Sequence, residues 1–253
     1  MKSPRITVII PLRNRSGIRL ENCLRSLRWQ VKVDRAEVEI VLSDFGSDPE
    51  HLASIERLGE VYDARVVKTQ TEEVWNRSKV LNIGIQAARS ELVFCTDADM
   101  IFQPTFLHTI LEAHRVFEGR IMVLCRCRDL PESVPEQLWD VEDFAGLKQA
   151  SDIRDTSGTG ACQAALKSFF EYTRGYDEKF VYWGAEDVDM TSRAERYGLK
   201  LHWMDDADTC MLHQWHPTMK NDRKWTFHIN RLRFKLTRHI IIKNRSGWGG
   251  FQT

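Results

Sequence analysis

What this 253-residue chain lacks narrows its function before any motif is read. It has no excess of either charge, with 36 Lys and Arg against 36 Asp and Glu. Non-specific nucleic-acid binders carry a basic surplus, so no nucleic-acid partner is expected. No apolar run comes near the ~20 residues that a membrane-spanning helix needs. The longest late one is Ile240-Ile241-Ile242. No leader-like stretch stands before the first strand pattern, because Met1-Lys2-Ser3-Pro4-Arg5 leads straight into it, and a cytoplasmic protein is expected. Repeats and low-complexity blocks are missing. The six cysteines (Cys23, Cys95, Cys125, Cys127, Cys162 and Cys210) are scattered and lie mostly in apolar runs, so buried thiols in a reducing compartment are expected. Only Cys125 and Cys127 are close together; they are expected on opposite faces of a strand, and so not as a joint zinc site.

What is present is an ordinary globular composition, 42% hydrophobic and 28% charged, in a chain long enough for a sizeable core. The first half alternates strand-like runs (6–10, 38–42, 64–68, 92–96, 121–125) with helix-like spacing (20–27, a stretch after Pro49, 80–88, and 104–114). That alternation predicts an α/β fold with a mostly parallel sheet flanked by helices. Ligands of such sheets bind beyond the carboxyl ends of the strands. Asp44 and the Asp97/Asp99 pair both follow predicted strands, so one crevice can hold all three. The second half is less regular. It offers a loop at 131–135, a small-residue stretch Ser157-Gly158-Thr159-Gly160-Ala161, helices at 167–174 and 186–197, a strand at 199–204, and helical spacing of Trp225, Ile229, Leu232 and Leu236. The tail 244–250 is expected to be mobile.

Four motifs carry chemistry. Asp97-Ala98-Asp99 follows the apolar run Leu92-Val93-Phe94-Cys95, and carboxylates there need a cation or a proton to be tolerated. Such a pair can converge on a hard divalent cation that shares its shell with a substrate phosphate; by itself Asp-x-Asp is also common in loops. Asn76-Arg77-Ser78-Lys79-Val80-Leu81-Asn82-Ile83-Gly84 opens a helix with two cations at its positive end, which suits phosphate or is simply a solvated helix start. Trp183-Gly184-Ala185-Glu186-Asp187-Val188-Asp189 opens another. Its acids either complement the helix dipole or supply a general base and an acceptor contact, with Trp183 available to stack on a sugar. His213-Gln214-Trp215-His216 offers imidazoles for a metal shell, His213 first and His216 second.

In this order, with Pro11 after the first strand, the motifs resemble nucleotide-sugar glycosyltransferases of the GT-A fold, a Rossmann-like single domain. The Asn-Arg-x-Lys-x-Leu-Asn-x-Gly and Trp-Gly-x-Glu-Asp-x-Asp stretches look like the β-1,4-galactosyltransferases and the chondroitin-polymerase type, over roughly residues 5–216. The polypeptide N-acetylgalactosaminyltransferases are similar less closely. The resemblance implies a GT-A domain over 1–217, with a nucleotide-sugar half of about 1–127 and an acceptor half of about 128–217, then a helical tail over 218–253. It implies a UDP-sugar donor, Mn2+ or Mg2+, and inversion. Pro11, Arg13 and Asp44 would line the nucleotide pocket, with Arg77 and Lys79 near the diphosphate. Asp99 and His213 would bind metal, and Asp97 the ribose or a metal-bound water. Trp183 and Gly184 would sit on a loop closing over the donor. Glu186 would hold the sugar or acceptor, and Asp187 would be the base.

Three departures stand out. Asp44-Phe45-Gly46-Ser47 replaces the usual Asp-Asp-Gly-Ser, and Ala185 stands where glycine is typical. The spacing of Met211 to His213 differs from that of the galactosyltransferase metal-ligand methionine, so Met211 is not carried over. Other readings are a sugar nucleotidyltransferase or nucleotide-sugar hydrolase, and an inactive saccharide-binding protein on the same fold. The basic segment 220–243 is read as a structural tail, with peripheral membrane or partner-protein contact as the alternative.

Overall fold

A computed structural model describes residues 3–154, 158–182, 184–217 and 224–250, apart from the Lys224 side chain. The centre is a seven-stranded sheet in the order β10-β6-β9-β4-β1-β2-β3. These strands are β1 (Ile6–Leu12), β2 (Val38–Phe45), β3 (Arg65–Thr69), β4 (Leu92–Cys95), β6 (Ile121–Leu124), β9 (Gln163–Leu166) and β10 (Lys200–Trp203). β1 pairs in parallel with β2 and β4, β2 with β3, and β6 with β10; only β9 runs against its neighbours β4 and β6. The mostly parallel sheet expected from the alternation is therefore present.

Every residue of β1 is buried because the sheet is covered on both faces. Ile6, Val8 and Ile10 pack with Leu20 and Leu24 of α1 (Ile18–Arg28), Ile55 and Leu58 of α2 (Pro49–Val61), and Phe106 and Ile110 of α4 (Phe106–Val116). The intervening Ile9 faces the other layer: Leu81 and Ile85 of α3 (Arg77–Ala87), Phe169 and Phe170 of α6 (Lys167–Thr173), and Met190 and Ala194 of α7 (Glu186–Tyr197). Alternation along a strand thus serves two cores at once. α3 lies so close to β1 that a Cβ on Gly84 would collide with Ile9, so the glycine of the Asn-Arg motif is a packing requirement.

A second, four-stranded sheet has the order β5-β11-β7-β8, from β5 (Met100–Phe102), β11 (Met211–His213), β7 (Cys127–Asp129) and β8 (Asp152–Ile153). α5 (Phe144–Ala150) packs beneath it, through Phe144 and Leu147 against Leu212. β5 and β8 were not anticipated, nor was the pairing of the four into one sheet. The consequence is large, because β11 lies between β5 and β7 and carries His213 to the segment just after β4.

Two expectations fail. Cys125 and Cys127 do not point to opposite faces of one strand. β6 ends at Leu124 and β7 starts at Cys127, and both thiols are buried in the same core; a two-residue step on any strand also repeats a face rather than alternating it. All six cysteines are free and buried, as expected. The tail 244–250 is packed rather than mobile. The Asn244 amide donates to the carbonyls of Arg174 (2.8 Å) and Tyr176 (2.6 Å), Gly249 N–H donates to Glu178 at 2.6 Å, and Trp248 packs against the core of the α3/α6/α7 layer.

Candidate active site

The site lies beyond the carboxyl ends of the parallel strands. The register sets Leu12 opposite Asp44 and Ile9 opposite Cys95, so the residues after β1, β2 and β4 emerge on one edge. Asp97 and Asp99 then part company. Asp97 accepts two hydrogen bonds on Oδ1 from Arg77, Nε at 3.0 Å and Nη2 at 2.7 Å. Asp99 turns the other way, with His216 Nε2 at 3.2 Å and His213 Nε2 at 4.0 Å. The buried Arg77 guanidinium thus holds Asp97, while Asp99 faces the two histidines.

Asp99, His213 and His216 offer one carboxylate oxygen and two imidazole nitrogens, all within 4.8 Å of one another. Burial raises the Asp99 carboxyl, but the His216 hydrogen bond and the charges of His213, His216 and Arg15 outweigh it and hold the carboxyl below its ordinary value. The bond to Asp99 correspondingly raises His216, against a smaller opposing effect of burial. Asp129, at the end of β7, faces His213 Nδ1 at 3.1 Å and is gripped by the fork of Arg154 at 2.8 and 2.5 Å. A carboxylate on one ring nitrogen fixes the tautomer that leaves the other free for a metal. Two imidazoles and a carboxylate fit a first-row divalent ion such as Mn2+ better than Mg2+, which prefers oxygen alone. A cleft of about 260 Å³ opens beside Asp99, lined by the turn from Asn14 to Gly17 and the start of α1 (Arg19, Leu20), together with His51, Ala98 and Glu136.

The second acidic group starts α7. Ala185 caps it at φ +71°, the left-handed region where glycine is comfortable and a Cβ costs about 1 kcal/mol. Glu186 is buried, takes Gly184 N–H at 3.0 Å, and lies 3.9 Å from Arg77 Nη1. Burial and then the neighbouring Asp187 charge push its carboxyl up to about 7, despite Arg77. Asp187 is half-buried, with the Thr159 hydroxyl donating to Oδ2 at 3.0 Å and the Gln163 amide to its backbone carbonyl at 2.9 Å. Arg77 Nη2 also donates to Gly160 O at 2.8 Å. One guanidinium therefore ties the end of β4, the 158–161 loop and the start of α7 together.

Pro11 and Asp44 are buried at the strand ends, and Asp44 accepts the Ser47 hydroxyl. Arg13 donates to Glu73 O at 2.5 Å, and Lys79 Nζ is within 2.9 Å of the Glu73 carboxylate. None of Pro11, Arg13, Asp44, Arg77 or Lys79 lines the cleft beside Asp99. Trp183 lies outside the described residues. Gly184, at φ +107°, has Phe227 so close that a Cβ would sit 2.6 Å from its ring. Asp129 and Arg154 were missed by sequence reasoning, and Thr159 stood out only as part of the small-residue stretch 157–161. Each is a lone polar residue at the end of a very short strand or in a loop, and only the register of the second sheet connects Asp129 to His213.

A model described as glycosyl transferase family 2 matches residues 7–138. The chain belongs to glycosyl transferase family 2. The model described as the N-terminal domain of galactosyltransferase matches residues 152–216, the segment with Thr159, Glu186, Asp187, His213 and His216. Polypeptide N-acetylgalactosaminyltransferase 12 of Mus musculus is 24% identical over 220 residues, 77% of this chain and 37% of that protein. Among solved structures, mannosyltransferase PcManGT from Pyrobaculum calidifontis, in complex with GDP-Man and Mn2+, aligns with TM-score 0.61 at 18% identity, covering 94% of this chain and 64% of that one. GalNAc-T7 with UDP, GalNAc and Mn2+ aligns with TM-score 0.64 at 17% identity, over 85% of this chain and 44% of that one. The chain thus spans well under two thirds of the first relative, and the structural likeness supports the GT-A fold.

Proposed function

We propose that this family 2 glycosyltransferase moves a sugar from a UDP-sugar to an acceptor hydroxyl with inversion, in a Mn2+-dependent reaction. The observation that carries the reading is that the Asp99–His213–His216 donor set and the Glu186–Asp187 helix start are built onto one sheet edge and linked through Arg77 and Asp97. Relatives solved with Mn2+ and a nucleotide or nucleotide sugar support the donor class. TarS of S. aureus, solved with UDP-GlcNAc, has a TM-score of 0.61 at 17% identity over 87% of this chain and 61% of that one.

A bound divalent cation would offset the charge that develops on the departing diphosphate. Asp99, His213 and His216 would hold that cation, and Asp129, on His213 Nδ1, would fix the ring that offers its other nitrogen. Pro11, Arg13 and Asp44 bound the nucleotide, with Lys79 and Asp97 towards the ribose and diphosphate. Asp187 accepts the acceptor's hydroxyl proton as that oxygen attacks the anomeric carbon from the face opposite the diphosphate. The Thr159 hydroxyl orients its carboxylate. Glu186, neutral for much of the time near pH 7, donates or accepts a hydrogen bond to a sugar hydroxyl. Trp183 and Gly184 belong to the loop that closes over the donor. The donor side is the half of about 1–127, and the acceptor side the half of about 128–217.

A second assignment makes Glu186 the base, favoured by its carboxyl near 7. Its burial at 6% exposure speaks for Asp187. The test is a screen of UDP-sugars by UDP release with Mn2+, followed by mass spectrometry of the product. Asp187→Asn should lower turnover by about 10²–10⁴-fold and leave the UDP-dependent rise in melting temperature intact. Full turnover in that variant would remove Asp187 as base. Release of pyrophosphate would point to a nucleotidyltransferase, and failure of UDP with Mn2+ to raise the melting temperature to a degenerate saccharide binder.

A further inference from the structure

Helix α8 (Lys224–Thr237) is amphipathic the wrong way round for a helix on a globular surface. Its inner face is held by mixed contacts: Phe227 on Gly184, the Asn230 amide on Val181 O at 3.0 Å, and Arg233 on the buried Asp177 at 3.0 Å. Its outer face carries Trp225, Ile229, Leu232 and Leu236, one helical stripe, exposed by 77, 50, 58 and 64%. A contiguous apolar stripe on the surface marks an interaction site. Beside it stand Arg231, Lys235 and Arg238, none of which forms an ion pair among the described residues; Arg231 lies 5.6 Å over the Phe227 ring. The charge distribution along the chain is polarised in the same sense. Asp222 is the last acidic residue, and 8 of the 36 Lys and Arg follow it.

We propose that α8 docks this protein on an anionic lipid surface, with Trp225, Ile229, Leu232 and Leu236 entering the headgroup–acyl boundary and Arg231, Lys235 and Arg238 meeting lipid phosphates. Aromatic and aliphatic residues on one side and cations beside them are the recipe for a helix lying in the membrane plane. At 14 residues α8 is roughly 21 Å long, too short to span. A second copy is a poorer occupant, because the same cationic rim would face itself across a two-fold axis. The proposal goes beyond the transferase reading and needs neither donor nor metal.

The test is co-sedimentation of the whole protein with phosphatidylcholine vesicles with and without phosphatidylglycerol, at low and high salt. Binding is expected to need phosphatidylglycerol and to weaken with salt. The variant Leu232→Glu/Leu236→Glu should bind at least about tenfold more weakly, and Arg231→Gln/Lys235→Gln about fivefold more weakly per charge. Both pairs are solvent-facing, so circular dichroism and melting temperature should match the parent. No binding to either vesicle overturns the proposal, as does binding that the leucine variant leaves unchanged. A dimer that the leucine variant dissolves, without vesicle binding, would assign the face to self-association instead.

Discussion

At the scale of single residues, the chemistry turns on which polar group claims which. Arg77 takes Asp97 and leaves Asp99 to the histidines, while Asp129 takes His213 Nδ1. If Asp129 orients a metal-binding ring, Asp129→Asn should weaken Mn2+ affinity by about 10–100-fold. The readout is Mn2+ titration by electron paramagnetic resonance, with the melting temperature of the apo protein as control. Glu186 yields a pH prediction. Its ordinary value is 4.5 and its folded value about 7, raised by burial. Below pH 4.5 it is neutral in both states. As pH rises from there through 7, the unfolded chain ionises first, so stability is lost across that window and the full cost stands above it. Glu186→Gln should remove this cost, up to about 3 kcal/mol at pH 8 and little at pH 4.5. Urea midpoints of parent and variant at the two pH values measure it; a constant gap would sink the assignment.

At the scale of elements, α7 is held in place from below. Arg193, fully buried, donates Nε to Asp189 at 2.8 Å and Nη1 to Gly175 O at 2.7 Å, and Lys243 reaches Asp189 at 3.5 Å and Asp177 at 3.6 Å. The C-terminal segment therefore helps fix the helix whose first turn carries Glu186 and Asp187. Arg193→Met should leave Asp189 buried without its main partner and cost about 3–5 kcal/mol, read as a lower urea midpoint. The long elements were legible because apolar runs and helical spacing repeat over enough residues to be read. The pairing of β5, β7 and β11 was not, since three residues carry no period. β9, Gln163-Ala164-Ala165-Leu166, lacks β-branched residues and is a strand because it fills the gap between β4 and β6. The tail looked mobile from its glycines, but its order comes from Asn244 and Trp248 finding partners on α3 and α6 and in the loop that follows.

At the scale of the whole molecule, two families of contact meet on one edge, and ligand binding should stabilise the assembly as a unit. UDP with Mn2+, each at about a hundred times its dissociation constant, should add about 2.7 kcal/mol per independent site, visible as a higher melting temperature that EDTA reverses. Mg2+ should do less, because two of the three ligand atoms are imidazole nitrogens. The sequence by itself determined the α/β alternation, the strand-end position of Asp44, Asp97 and Asp99, and the order of motifs that belongs to this family, since these are local patterns written in neighbouring residues. Only the tertiary structure decided that Asp97 and Asp99 diverge, that His216 joins His213, that Asp129 stands behind them, and that α8 turns its apolar stripe outward. Each of those depends on pairing between segments far apart in the chain, and such pairings are selected by packing and buried charge rather than by any local pattern.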